Sequence, residues 1–163
     1  MPILLCRVDD RLIHGQVVVG WGSRLGLDYI AVIDDELSAS EWEQDLYRAG
    51  LPDSIEARFL DVEGGAERLP EWNAVGERGF VLTRDVGTMV RLAERDALDG
   101  LEVNLGGLHD APGRRRVLPY LFLSEGDREA LAALRRVGVR VSAQDVPGAR
   151  RIGLNELLEL KPD

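Results

Sequence analysis

The sequence has little of several things, and each shortage narrows the choice. It has one cysteine, Cys6, so no internal disulfide can form. A single thiol inside the apolar run "PILLC" suits a reducing compartment and reads as a small core residue. No stretch approaches the ~18 consecutive apolar residues of a membrane span. Asp9 and Asp10 interrupt the N-terminal apolar run almost at once, so no secretory signal is expected. Positive charge is also short, with 20 basic residues against 29 acidic and a net charge of −9. That balance argues against a general nucleic-acid binder, which needs a basic field. Lysine occurs once, at Lys161. Arginine replacing lysine throughout reads as base composition rather than function. Only two histidines are present, His14 and His109.

What remains is ample for one globular domain spanning residues 1–163. The 45% hydrophobic content can build a core without metal or disulfide. Short apolar runs alternate with amphipathic ones. "ILLCRV" (3–8), "YIAVID" (29–34), "IEARFLD" (55–61), "GFVLTR" (79–84) and "LEVNLG" (101–106) read as strands covered on both faces. Helices are expected in "GQVVVGWGSRL", in "SASEWEQDLYRAG" with Ser38 or Ser40 as cap, and in "DVGTMVRLAERDAL" capped by Asp85. The clearest helix is "SEGDREALAALRRVG", capped by Ser124 and buried through Leu131 and Leu134. Strand–helix alternation predicts an α/β fold, an open, mostly parallel doubly wound sheet with helices on both faces. The last strands, around "VLPYLFLS" and "VRVSAQDV", belong at an edge, where antiparallel pairing is open; Pro119 suits such an edge. "GLNELLELKP" predicts a closing helix.

"RVDDRLIHGQVVVGW" (7–21) concentrates the chemistry. It follows the first strand, and open α/β sheets bind ligands at the carboxyl ends of their strands. Gly15 is expected to turn the chain into a helix whose first amides, at Gly15 and Gln16, face an anion. An imidazole there can accept a phosphoryl group, with Arg11 and the more distant Arg7 offsetting its charge. The same residues also allow a quieter arrangement, in which Asp9 and Asp10 cap and pair while His14 packs. No GxGxxG or Walker pattern is present, which ranks a plain nucleotide-binding module last.

Beyond this loop, "NLGGLH" should reach the same sheet edge. Gly106 and Gly107 either wall a phosphate site or make a turn needing positive φ. His109 reads as a second site residue or as an exposed loop side chain. Arg114, Arg115 and Arg116 form the only dense basic run, a solvated loop or a docking patch. Thr83 and Arg84 end the fourth strand and are candidates to face the site. Trp21, Trp42 and Trp72 read as packing residues, with Trp21 at the border of the loop.

The segment 7–21 resembles the phosphorylation-site segment of the IIB components of the mannose/fructose/sorbose family of the bacterial phosphotransferase system (PTS). "AVIDDELSASEW", "LPDSIEARFLDVE", "VNLGGLH" and "SEGDREALAALRRVGVRVSAQDVP" are similar to successive pieces of that family in order and spacing. The resemblance implies that His14 is phosphorylated, that Arg11 binds the phosphate and that Asp9 shapes the loop, with Asp10 as a cap or ion-pair partner. It implies a IIA phosphocarrier as donor, membrane IIC and IID partners holding a hexose-class sugar, a cytoplasmic location, and no metal or organic cofactor. It leaves open a regulatory phospho-histidine role without transport. The sugar, the ring nitrogen and the oligomeric state are not legible.

Overall fold

The computed structural model describes residues 2–163. Its main sheet has seven strands in the order β3-β2-β4-β1-β5-β8-β9. These are β1 Ile3–Asp9, β2 Tyr29–Ile33, β3 Glu56–Leu60, β4 Gly79–Thr83, β5 Glu102–Gly107, β8 Arg140–Ala143 and β9 Ile152–Gly153. All neighbours run parallel except β8 and β9, so the antiparallel pair falls at the edge. β2 and β4 are buried at every position, as expected of strands covered on both faces.

Helices cover both faces. One face carries α1, a π-helical segment Gln16–Gly22 running on into an α-helical turn Ser23–Leu25, with α2 (Asp35–Ser38) and α3 (Glu41–Ala49). Val17, Trp21 and Leu37 pack there on Ile30, Val32 and Phe80. The other face carries α4 (Val62–Ala74), α5 (Val86–Ala93), α6 (Glu125–Arg136) and α7 (Leu154–Glu159), over Cys6, Val8, Val81 and Val103. Burial pushes the Cys6 thiol up to about 12, which fits an inert core residue.

Several expectations need adjusting. Asp34, not a serine, caps α2, accepting from Leu37 N–H at 2.9 Å; Ser40 begins α3 without a side-chain bond. Helix α4 has no counterpart in the sequence reading, because Gly64, Gly65 and Pro70 mask it. It forms since Asp61 caps it at 2.7 Å from Gly64 N–H and Gly65 lets it sit on Ile33, 3.0 Å from where a Cβ would lie. "VLPYLFLS" is not a sheet edge. It forms a separate hairpin of β6 (Arg115–Leu118) and β7 (Leu121–Leu123), with Pro119 in the turn. Trp42 does not pack, being 67% exposed on α3.

The Asp85 and Ser124 caps are present, the second as a reciprocal box with Asp127 at 2.8 and 3.0 Å. Ser124→Ala is expected to cost about 1 kcal/mol, lowering Tm by roughly 2–4 °C. Calorimetry measures this directly, and phosphoryl transfer should be unaffected.

Candidate functional site

Period-two geometry in β1 sends Arg7 and Asp9 to the α1 face, while Cys6 and Val8 enter the opposite core. Arg7 pairs in register with Asn104 of β5. Its Nη1 donates to Asn104 Oδ1 at 2.5 Å and to the Gln144 carbonyl at 2.9 Å, and its Nη2 to the Asp145 carbonyl at 2.8 Å. The guanidinium lies 5.1 Å from the centre of the Trp21 ring. Arg7 and Asp9 are both completely buried, 3.6 Å apart. Burial draws the Arg7 guanidinium below its usual value, and the Asp9 and Asp145 charges oppose that. A buried carboxylate survives only when paired, and this arginine supplies the pairing.

Gly106 and Gly107 belong to this arrangement. They lie in β5, and neither is among the residues of positive φ. A Cβ on Gly106 would fall 2.0 Å from Arg7 Cζ; one on Gly107 would fall 3.2 Å from the Asp9 carboxylate oxygens. The glycine pair is thus neither a turn nor an open phosphate wall. It is the space in which the buried ion pair sits.

Beyond β1 the chain turns at Leu12, not at Gly15. Leu12 is buried and left-handed (φ 57°), and its N–H donates to the Asp9 carbonyl at 2.9 Å. A left-handed leucine is strained, and such strain collects at functional loops. Gly15 has ordinary helical angles (φ −51°), and a Cβ there would meet nothing within 4 Å. Its bareness leaves open space beside His14. The His14 carbonyl accepts the first helical bond from Val18 N–H at 3.0 Å, so the amides of Gly15, Gln16 and Val17 have no partner within the helix. A π-helical first segment is unusual and frequent at functional sites.

The His14 side chain is 17% exposed. Its Nδ1 lies 2.8 Å from the Leu12 carbonyl, and its Nε2 lies 3.7 Å from Asp9 Oδ2. Both Nε2 and that oxygen are buried, and neither has a hydrogen-bond partner. Arg11 lies on the open side, 43% exposed, with Nε 3.5 Å from Asp9 Oδ1 and its N–H bonded to the same oxygen at 3.1 Å. Its Nη2 donates to Gln16 Oε1 at 2.7 Å, and Gln16 Nε2 donates to Asp145 Oδ1 at 2.9 Å. The structure therefore brings Asp9, Arg11, His14, Gly15 and Gln16 together. It sets Arg7, Gly106 and Gly107 beneath them.

Asp10 turns the other way and pairs. His109 Nδ1 meets Asp10 Oδ1 at 2.5 Å, His109 N–H donates to Oδ2 at 2.8 Å, and Arg114 Nη1 lies 3.5 Å from Oδ2. His109 ties the two loops together and is half-exposed. Arg114 also reaches Asp127 at 3.4 Å, so the basic run is reduced to Arg115 and Arg116 on β6. Arg84 bonds Asp34 at 2.6 Å, and buried Thr83 bonds the Asp85 carbonyl at 2.9 Å; both serve the α2 and α5 caps. Asn104, Gln144 and Asp145 were missed in the sequence. Gln144 and Asp145 follow the carboxyl end of β8, while Asn104 lies mid-strand in β5, in register with Arg7.

This arrangement can hold a charged group on an imidazole, with a cation beside it and a buried carboxylate behind it. Comparison with known proteins agrees. A family model described as the PTS system sorbose subfamily IIB component matches residues 3–162. The N-acetylgalactosamine-specific phosphotransferase enzyme IIB component 1 of Escherichia coli (strain K12) is 30% identical over 156 residues, covering 91% of this chain and 94% of that protein. The sorbose-specific EIIB component of Klebsiella pneumoniae is 29% identical over 149 residues, covering 90% and 88%. The crystal structure of the Escherichia coli N-acetylgalactosamine-specific IIB component 1 superposes with a TM-score of 0.83 over 93% of this chain and 99% of that one, at 29% identity. The chain therefore belongs to the sorbose-subfamily IIB components of the phosphotransferase system, and its role is phosphoryl transfer in sugar uptake.

Proposed function

We propose that His14 is the phosphoryl carrier of this domain, loaded from a phospho-histidine on a IIA protein and discharged to a sugar held by membrane IIC and IID subunits. The observation that carries this reading is buried His14 Nε2 lying 3.7 Å from buried Asp9 Oδ2, neither atom having a hydrogen-bond partner among the described residues, with the Arg7 guanidinium 3.6 Å from that oxygen. The Leu12 carbonyl can only accept, so the resting contact places a proton on Nδ1. Moving the single proton of a neutral ring to Nε2 exchanges that contact for Asp9. It leaves Nδ1 with a lone pair, and turning the ring away from Leu12 presents it to the donor. Nδ1 then attacks phosphorus. A new P–N bond forms, the donor's P–N bond breaks, and its electron pair stays on the donor ring. Asp9 continues to hold Nε2–H in the phosphorylated state. In the second step a sugar hydroxyl attacks phosphorus, the P–N electrons return to Nδ1, and the hydroxyl proton leaves to a base on the permease side.

Arg11 neutralises the phosphoryl oxygens, and the amides of Gly15 and Gln16 face them; positioning and charge neutralisation are most of what such transfer needs. Arg7 acts by holding Asp9 in place. The relatives are named for N-acetylgalactosamine and sorbose, which points to a hexose-class sugar. The IIB domain works at the cytoplasmic face, without a metal or organic cofactor. The regulatory alternative finds no support among relatives named as transport components.

The test uses phosphoenolpyruvate, the general phosphotransferase proteins and a cognate IIA. Acid-labile, alkali-stable label should appear on this chain and discharge when membranes bearing IIC and IID are given sugar. Label that stays when sugar is supplied would contradict the transport role. Arg11→Ala is expected to slow loading about 100- to 1,000-fold, the scale of losing one charge-stabilising donor. Rapid-quench kinetics measures it, and an unchanged rate removes Arg11 from the mechanism.

A further inference from the structure

We propose that Asp145 is a positioning residue for phosphoryl transfer: its carboxylate fixes the Gln16 amide, and that amide holds Arg11 beside His14. The inference rests on the reading of Arg11 as the phosphate-binding cation. Three observations carry it. First, the contacts form a directional chain. Arg11 Nη2 donates to Gln16 Oε1 at 2.7 Å, and Gln16 Nε2 donates to Asp145 Oδ1 at 2.9 Å. A guanidinium can only donate and a carboxylate can only accept. Only one orientation of the amide satisfies both. Reversed, its NH2 would face the guanidinium and its oxygen the carboxylate. Asp145 therefore decides which end of Gln16 meets Arg11.

Second, Asp145 is itself anchored to the site's floor. Its carbonyl accepts from buried Arg7 Nη2 at 2.8 Å and lies 3.4 Å from Trp21 Nε1. It follows β8, whose last residue, Ala143, pairs with Leu105 of β5, so it stands at the same sheet end as the loop. Third, Arg11 needs holding. Its side chain is 43% exposed and has one other tether, Asp9 at 3.5 Å. Between these tethers Nη1 has no protein partner among the described residues, and it is the donor left for phosphoryl oxygens. A long cationic side chain ordered in advance loses less freedom when the phosphoryl group arrives.

Loading from phospho-IIA, followed by rapid quench, tests the chain of contacts. Asp145→Ala should slow transfer about tenfold, within the range expected for a small misplacement of a positioned group. Asp145→Asn keeps an acceptor oxygen and should remain within about twofold of wild type. In an Arg11→Ala background, Asp145→Ala should add almost nothing, because the group it positions is gone. Equal slowing in both backgrounds, or no slowing in the wild-type background, overturns the proposal. A wild-type rate for Arg11→Ala alone sinks the role of Arg11 first, and this inference with it. If Asp145→Ala does not fold, Gln16→Met interrupts the same chain and should show the same masking by Arg11→Ala. Additive slowing there counts against the proposal.

Discussion

His14→Ala is expected to accept no phosphoryl group from phospho-IIA while remaining folded. The expected loss is complete rather than partial, because in the proposed mechanism the imidazole is the acceptor and no neighbour can replace it. Cys6 is buried in the core, and His109 is tied to Asp10 at 2.5 Å on the other side of the loop. Folding survives because the ring contributes few contacts: one bond to the Leu12 carbonyl, and Nε2 3.7 Å from Asp9. A circular dichroism melt near the wild-type Tm with no acid-labile label is the expected pair of results. Residual labelling of the variant would assign the phosphoryl group to another residue.

Gly106→Ala should be severely destabilising. The added Cβ would lie 2.0–2.3 Å from three atoms of the Arg7 guanidinium. Arg7 cannot simply lean aside, because it is fully buried and bonded to Asn104, Gln144 and Asp145. Either β5 moves or the ion pair with Asp9 breaks, and breaking a buried pair costs about 3–5 kcal/mol. For a chain of this size that is about 10 °C in Tm. Gly107→Ala makes a useful contrast. Its Cβ would come 3.2 Å from the Asp9 oxygens, a contact that a few tenths of an ångström relieve. Chemical denaturation of the two variants should rank Gly106→Ala clearly below Gly107→Ala. Equal stabilities would mean that β5 adjusts freely and the cradle is not tight. Loading of His14 should fall with the first substitution too, since Asp9 loses its counter-charge.

What the sequence disclosed and what it hid follow from distance along the chain. The strands were legible because apolar β-branched runs alternate with amphipathic ones. The place of His14 was legible because the apolar run of strand β1 ends in charge. Local signals failed where tertiary contact decides. Helix α4 forms despite Gly64, Gly65 and Pro70, since Gly65 lets it sit close to Ile33. The turn falls on Leu12 instead of Gly15, because the leucine side chain is buried in the α1-side core. Gly106 and Gly107 look like a turn and are a cradle for side chains about 100 residues away in sequence. The hydrogen-bond partners of Arg7 are 97 to 138 residues distant, so no window along the sequence can show them.

The resemblance to IIB components named the reaction, and the geometry shows what each side chain touches. Arg7 illustrates the difference. By position it looked like a second phosphate-binding cation. In the fold it is enclosed, 3.6 Å from Asp9 Oδ2, the oxygen that lies 3.7 Å from His14 Nε2.

The central claim is that one imidazole, His14, carries the phosphoryl group with Asp9 at its back. Phosphorus and nitrogen NMR of the freshly loaded, 15N-histidine-labelled protein tests this most directly. The expected spectrum shows a single phosphoramidate phosphorus coupled to Nδ1 of His14, with Nε2 protonated. Coupling to His109, or a phosphorus bonded to oxygen or sulfur, would contradict the account.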